Sequence, residues 1–308
     1  MADVLIAGNV GKRIVLASQV DMSTFNSTDT DYELIDFADE SIGLSRDELT
    51  SRLADSDRNQ SYLQYGNSNV NGDINTELIF GMFDETLLES LLFSAWTTDV
   101  LKNGTTKNYL SVEKGFTDVA KYFRYTGCLV NTLDLDVRPN AIVTARFGLV
   151  GKSEASVEAT SIAPSAAVNA TSGSDPIDSF SGTVTVGGSS SSLATQISLK
   201  IDNKLQDAFA IGSRLKQGII PGVCRVSGTL SLLFNDTTEY DKFVAGTESS
   251  LSFVLSDGTN TYTFSIPSIY YFGETPKGSG QEGPVVHNLP FVAKKNTSLG
   301  ATISVTRA

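Results

Sequence analysis

Residues 255–268 read LSDGTNTYTFSIPS, and residues 101–114 read LKNGTTKNYLSVEK. Each sets an Asp-Gly or Asn-Gly pair between runs that alternate apolar and polar residues, the pattern of a β-hairpin. Leu101 matches Leu255, Gly104 matches Gly258, Thr105 matches Thr259 and Ser111 matches Ser265, at a constant offset of 154 residues. The recurrence raises the expectation that one unit is built twice.

Outward from each hairpin the same elements recur. VNGDINTELIF (70–80) alternates Ile74, Thr76, Leu78 and Phe80 with Asp73, Asn75 and Glu77, and VSGTLSLLF (226–234) alternates Val226, Leu230, Leu232 and Phe234 with Ser227, Thr229 and Ser231. Both open with Val-x-Gly, and both read as half-buried strands. A short helix follows each. In the first, Asp84 reads as the N-cap and Leu87, Leu88, Leu91 and Leu92 form the apolar stripe; the second, in NDTTEYDKFVAG, uses Tyr240 and Phe243. Each unit closes with a strand, a turn and a last strand. In the first, Leu133, Leu135 and Val137 alternate with Asp134 and Asp136 ahead of Pro139-Asn140; in the second a turn falls at Asn296, with Ile303 and Val305 matched to Phe147 and Leu149.

The expected organisation is mainly β: two tandem β domains, 1–153 and 179–308, each with a short flanking α-helix, joined by an Ala/Ser/Thr-rich linker at 154–178, the alternative being one large sandwich with two similar hairpins. Long insertions at 36–66 and 202–222 read as contact-making segments.

The formal net charge is −12, and the first 153 residues carry −9 of it. Such acidity argues against tight nucleic-acid binding. Two cysteines, Cys128 and Cys224, without a CxxC or a His cluster, signal neither a disulfide framework nor zinc. Neither a membrane span nor an export signal is expected.

GDINTELIFGMFDETLLESLL (72–92), the run from Leu101 to Lys152 and DSFSGTVTVGG (178–188) resemble the major tail tube proteins of long, non-contractile-tailed bacteriophages. The resemblance implies a structural virion protein that polymerises as stacked rings into the hollow tail tube, which conducts the DNA genome from capsid to host. In that family one sheet of each β-sandwich joins its neighbours' sheets in a closed inner β-barrel of six tube domains. A chain with two such domains would then form a trimer of pseudo-six-fold appearance. The insertions would reach the adjacent ring. The implied partners are further copies of the chain, the tape measure protein, tail terminator and distal tail proteins, and double-stranded DNA in non-specific transit, with no membrane and no cofactor. Its place is the virion tail, and the host cytoplasm during assembly. The residues expected to line the lumen are the polar strand sets Asp73, Asn75, Glu77, Asp134, Asp136, Ser227, Thr229 and Ser231.

Other chemistries find little footing. His287 is the only histidine and has no nucleophile motif beside it. The acidic run 29–40 lacks the glycine and ligand spacing of an EF-hand. Tyr122, Phe123 and Tyr125 read as strand core or interface rather than a stacking platform. The alternative function is a carbohydrate-binding β-sandwich on a virion or cell surface.

Overall fold

The computed structural model describes residues 7–8, 11–27, 32–53, 58–60, 62–163, 168–169, 175–180, 182–273, 275–278 and 283–308. In chain order the strands begin with β1 Lys12–Gln19, β2 Tyr32–Ile35, β3 Asp39–Glu40, β4 Gly43–Thr50 and β5 Leu63–Glu77. A π-helical turn, Asp84–Leu88, runs into α1, Glu89–Leu92. Next come β6 Val100–Lys102, β7 Tyr109–Phe116, β8 Lys121–Val137, β9 Thr144–Gly151, β10 Ser153–Glu158 and β11 Val168–Asn169. The later part holds β12 Thr183–Val186, β13 Ser189–Ser191, β14 Ala194–Asp202, β15 Gln206–Ala208, β16 Gly218–Ile220 and β17 Arg225–Leu233. After α2, Thr238–Ala245, the chain closes with β18 Ser249–Ser256, β19 Thr261–Tyr271, β20 Val286–Ala293 and β21 Ser304–Arg307.

The protein is mainly β, and its pairing order is traced twice. In the earlier part, β2-β1-β7-β8-β10 form one layer and β4-β5-β9-β8 the other. Later, β13-β12-β18-β19-β21 and β14-β17-β20-β19 repeat both layers. A long strand, β8 or β19, crosses from one layer to the other each time. In β8 the crossing falls beside Gly127, whose φ of 60° suits a residue without Cβ. The apolar faces of all four layers merge in one buried cluster running from Ile14 to Val305. Leu87, Leu88, Leu91 and Leu92 are buried in it, and Phe83 meets Phe147 edge to face at 5.2 Å.

Two seams bind the parts together. At the first, β14 pairs with β8, Ile197 opposite Val137 through Asp202 opposite Thr132. At the second, β21 pairs with β6. There Asp84, at the helix start, is buried and takes a hydrogen bond from the Tyr262 hydroxyl and from Arg307 Nη1 at 3.1 Å. Arg307 also stacks over Trp96, 4.5 Å from the ring centroid. Asp84 therefore serves the seam rather than capping the helix.

The structure corrects the reading of residues 101–114 as a hairpin. Among the described residues the strand that β6 pairs with is β21, and β7 turns back on β8 instead. The reason lies in where the loop's hydrogen bonds go. Asn103 Oδ1 accepts the N–H groups of Thr302 and Ile303, while Gly104 N and Thr106 N donate to Leu92 and Phe93 carbonyls at the helix end. Residues 255–268 do form the expected hairpin, β18 to β19, with Gly258 at φ 96°. The counterpart of Phe147 and Leu149 is consequently Leu289 and Phe291, because β5 pairs with β9 as β17 pairs with β20. Within the stretch expected to be a linker, β10 pairs with β8 and Ala163 is fully buried, whereas 164–167 and 170–174 lie outside the described residues.

Glu33, on β2, faces the helical turn, where the Thr86 hydroxyl donates to it. Burial, with the charges of Asp84, Glu85 and Glu89 adding to it, pushes its carboxyl from the ordinary 4.5 up to about 8. The folded chain thus holds a proton that the unfolded chain has released. Glu33's contribution to folding stability is fully present below pH 4.5 and is lost as the pH rises through about 8. Glu33→Gln should flatten that decline, read as urea midpoints measured between pH 5 and 8.

Candidate functional site

A strand that buries one face must show the other. β5, β9, β8, β14 and β17 bury Ile74, Phe147, Leu133, Leu135, Ile197, Leu199, Ile201 and Leu230, each 2% exposed or less. Their opposite faces form a single polar surface, since the five strands lie side by side in one sheet.

Cross-strand register arranges this surface in rows. One runs Asn75, Arg146, Asp134, Lys200, Ser227, and the next runs Glu77, Thr144, Asp136, Ser198, Thr229. A third runs Asp73, Gly148, Thr132, Asp202, Arg225. The polar residues singled out in the sequence, distant along the chain, are thereby gathered on one face of one sheet. Ser231 continues the Thr229 line but is covered, donating to Asn288 Oδ1 at 2.8 Å.

The face is balanced in charge. Arg146 Nη2 lies 2.6 Å from Asp73 Oδ2, Lys200 Nζ 3.0 Å from Asp134 Oδ1 and Arg138 Nε 2.6 Å from Asp136 Oδ2. Asp202 is paired with Lys204 at 2.5 Å; burial raises its carboxyl, but the Lys204 side chain and backbone N–H outweigh that and hold it below the ordinary value. Carboxylates and cations thus alternate, with hydroxyls and amides between them. Exposed pairs of this kind contribute about 0–1 kcal/mol each, so their main effect is to cancel field rather than to hold the fold. Arg146 and Lys200 were overlooked in the sequence although the signal was there: each sits between two apolar residues, in ARF and LKI.

Groups with reactive potential sit elsewhere and are shielded. His287 is 4% exposed, its ring about 6 Å from those of Phe234 and Tyr240. Burial pushes the Cys128 thiol up to about 12 and the Cys224 thiol up to about 11, far from the thiolate a nucleophile requires. Tyr125 is buried in β8, and Phe123 packs on Phe116. Among the described residues no group of three His, Cys, Asp or Glu side chains is placed to hold a metal ion, although residues 29–31 of the acidic run lie outside them. No described helix is long and apolar enough to cross a membrane.

The described residues thus present a layered β-protein with a broad, charge-balanced sheet face. The sequence agrees: the family model described as phage tail tube protein matches residues 11–293, and the chain belongs to that family. No curated protein matches it. Membership makes the chain a structural component of the virion tail that self-assembles into a tube.

The two faces of the sheet should respond oppositely to truncation. Asp134→Ala or Lys200→Ala is expected to change the unfolding free energy by less than about 1 kcal/mol. Leu199→Ala, on the buried face, should cost roughly 2–5 kcal/mol, measured by urea denaturation.

Proposed function

We propose that the chain contains two tube domains in tandem and that three chains close into a ring of pseudo-six-fold symmetry, which stacks into a DNA-conducting tube. The observation that carries this reading is the β8–β14 seam, where the sheet of the earlier part continues without a break into that of the later part. The repeated pairing order supports the tandem reading. A sheet that joins its own repeat edge to edge has the geometry to join further copies the same way. Closing the circle removes the open edges that would otherwise invite uncontrolled pairing.

In such a ring the polar face lines the bore. Duplex DNA carries one charge per about 1.7 Å, and a wall rich in unpaired Lys and Arg would bind it through counterion release. Ion-paired carboxylates and hydroxyls offer no such reward. Any remaining field fades within about 8–10 Å at physiological salt. DNA is therefore neither held nor barred. The tape measure protein and the terminator and distal tail proteins are the partners this role requires, and assembly takes place in the host cytoplasm.

Negative-stain and cryo-electron microscopy of the purified chain should show annuli containing three copies. Isolated molecules would remove the tube reading, and six copies per annulus would remove the tandem stoichiometry. Replacing Glu77, Ser227 and Thr229 by Lys should leave tubes intact and slow DNA release from virions carrying the change. Release at the parental rate would sink the account of the bore.

A further inference from the structure

In the earlier part, three backbones meet where β5 leaves the polar sheet and β9 enters it. Leu78 N donates to Val143 O at 2.8 Å, Val143 N to Ile177 O at 2.9 Å and Ile177 N to Leu78 O at 2.8 Å, a closed circuit of hydrogen bonds. Ile142 bridges Asp178 beside it. Leu78, Val143 and Ile177 are each 2% exposed or less. The inserted residue belongs to the segment that leads into β12 of the later part. A Cβ added to Gly182 would lie 2.8 Å from Val254 O of β18, so between Ile177 and Gly182 the chain passes from one part to the other.

The later part repeats the first of these bonds without the insertion. Phe234 N donates to Val285 O at 2.9 Å. Phe234 directly follows β17 as Leu78 follows β5, and Val285 directly precedes β20 as Val143 precedes β9. Among the described residues, however, no group answers the Phe234 carbonyl or the Val285 N–H, and the two residues are 41% and 39% exposed. An open backbone donor and acceptor flanked by apolar side chains make the receiving half of a strand addition, in which main-chain bonds hold the incoming segment and its side chain fills the gap. Pro284 stands at the place of Ile142. With Val143 N bonded to Ile177 O, the Ile142–Asp178 bridge is of the non-hydrogen-bonded kind, so a missing N–H is no loss there.

A second segment of the chain is built like the inserting one. Ile177 stands six residues ahead of the first residue of β12, in IDSFSG (177–182), and Ile6 stands six ahead of the first residue of β1, in IAGNVG (6–11). Where the described part of this segment ends also fits. Gly8 N donates to Asp118 Oδ2, at the turn between β7 and β8. The corresponding turn of the later part, between β18 and β19, faces the earlier part across the second seam, where Asn260 and Asp84 line one cleft. In a ring, the β7–β8 turn of one copy faces the later part of its neighbour in the same manner.

We propose that Ile6 of one copy inserts between Phe234 and Val285 of a second, its N–H donating to the Phe234 carbonyl and its carbonyl accepting the Val285 N–H; this inference rests on the tube reading above. The segment ahead of β1 then straps each copy to the next, as residues 175–178 strap the two parts of one chain. The strap lies at the ends of the sheet strands rather than along an edge, and one apolar side chain anchors it.

The test pairs Ala7→Cys with Pro284→Cys, the counterparts of Asp178 and Ile142. In a non-hydrogen-bonded pair their Cα atoms would lie about 4.5 Å apart, within reach of a disulfide. The comparison pairs Ala2→Cys with Pro284→Cys, displaced by five residues or about 17 Å of extended chain. Both variants keep Cys128 and Cys224, so their difference reads the new pair alone. After assembly and mild oxidation, a non-reducing gel of the first should show reducible multimers of up to three chains, in a fraction at least about tenfold above the second's. Without added cysteines, Ile6→Asp should raise the concentration at which annuli form by at least about tenfold, the factor that burial of one isoleucine supplies. Annuli without cross-links in the first variant, equal cross-linking in both, a disulfide confined within single chains, or an unchanged concentration for Ile6→Asp would overturn the strap and leave the tube reading standing. Failure of the unmodified chain to form annuli would remove both.

Discussion

The structure turns on one requirement, that a backbone edge of a sheet must be paired, covered or closed. β14 meets it for β8 and β21 meets it for β6, and these two contacts make one molecule of two similar parts. The first seam is nearly all backbone, flanked by Leu133, Leu135, Leu199 and Ile201 beneath and by ion pairs above. At the second, backbone pairing is joined by a buried carboxylate, Asp84, which keeps its partners Tyr262 and Arg307 in one arrangement. Burial raises that carboxyl above its ordinary value, against the pull of Tyr262 and Arg307, so the network specifies geometry at some cost in desolvation.

The same requirement explains which residues recur. Gly72 and Gly228 lie where the neighbouring strand passes too close for a side chain; an added Cβ would collide with the backbone of Ile42 in one case and with the Ser198 carbonyl in the other. Gly66 and Gly222 likewise sit against Asp47 and Lys204 near the starts of β5 and β17. Gly72, Gly222 and Gly228 mark the repeat more faithfully than the surface residues do, because backbone atoms within 3.0 Å of an added Cβ leave no room for a side chain there.

Much of this was legible in the sequence. Alternation in 70–80 and 226–234 gave both the strands and their polar faces, and the Asp-Gly turn gave the β18–β19 hairpin. What misled was Asn103-Gly104, a hairpin signal whose hydrogen bonds are captured by Leu92 and by the segment before β21, which is 199 or 200 residues away. A local pattern cannot report a distant competitor. The alignment of the two halves slipped for the same reason, by one strand. The balance of the polar face was hidden too. Carboxylates on β5 and β8 were read alone, and only the register shows Arg146 and Lys200 standing among them.

The seam between β8 and β14 has a kinetic meaning. Its two edges are tethered by the chain and meet at the high effective concentration of an intramolecular contact, whatever the amount of protein made. A seam between chains forms only as fast as copies encounter one another. In a tube built this way half of the lateral joints are finished during folding. Growth then waits on the remainder, whose onset is set by how much protein the cell has accumulated.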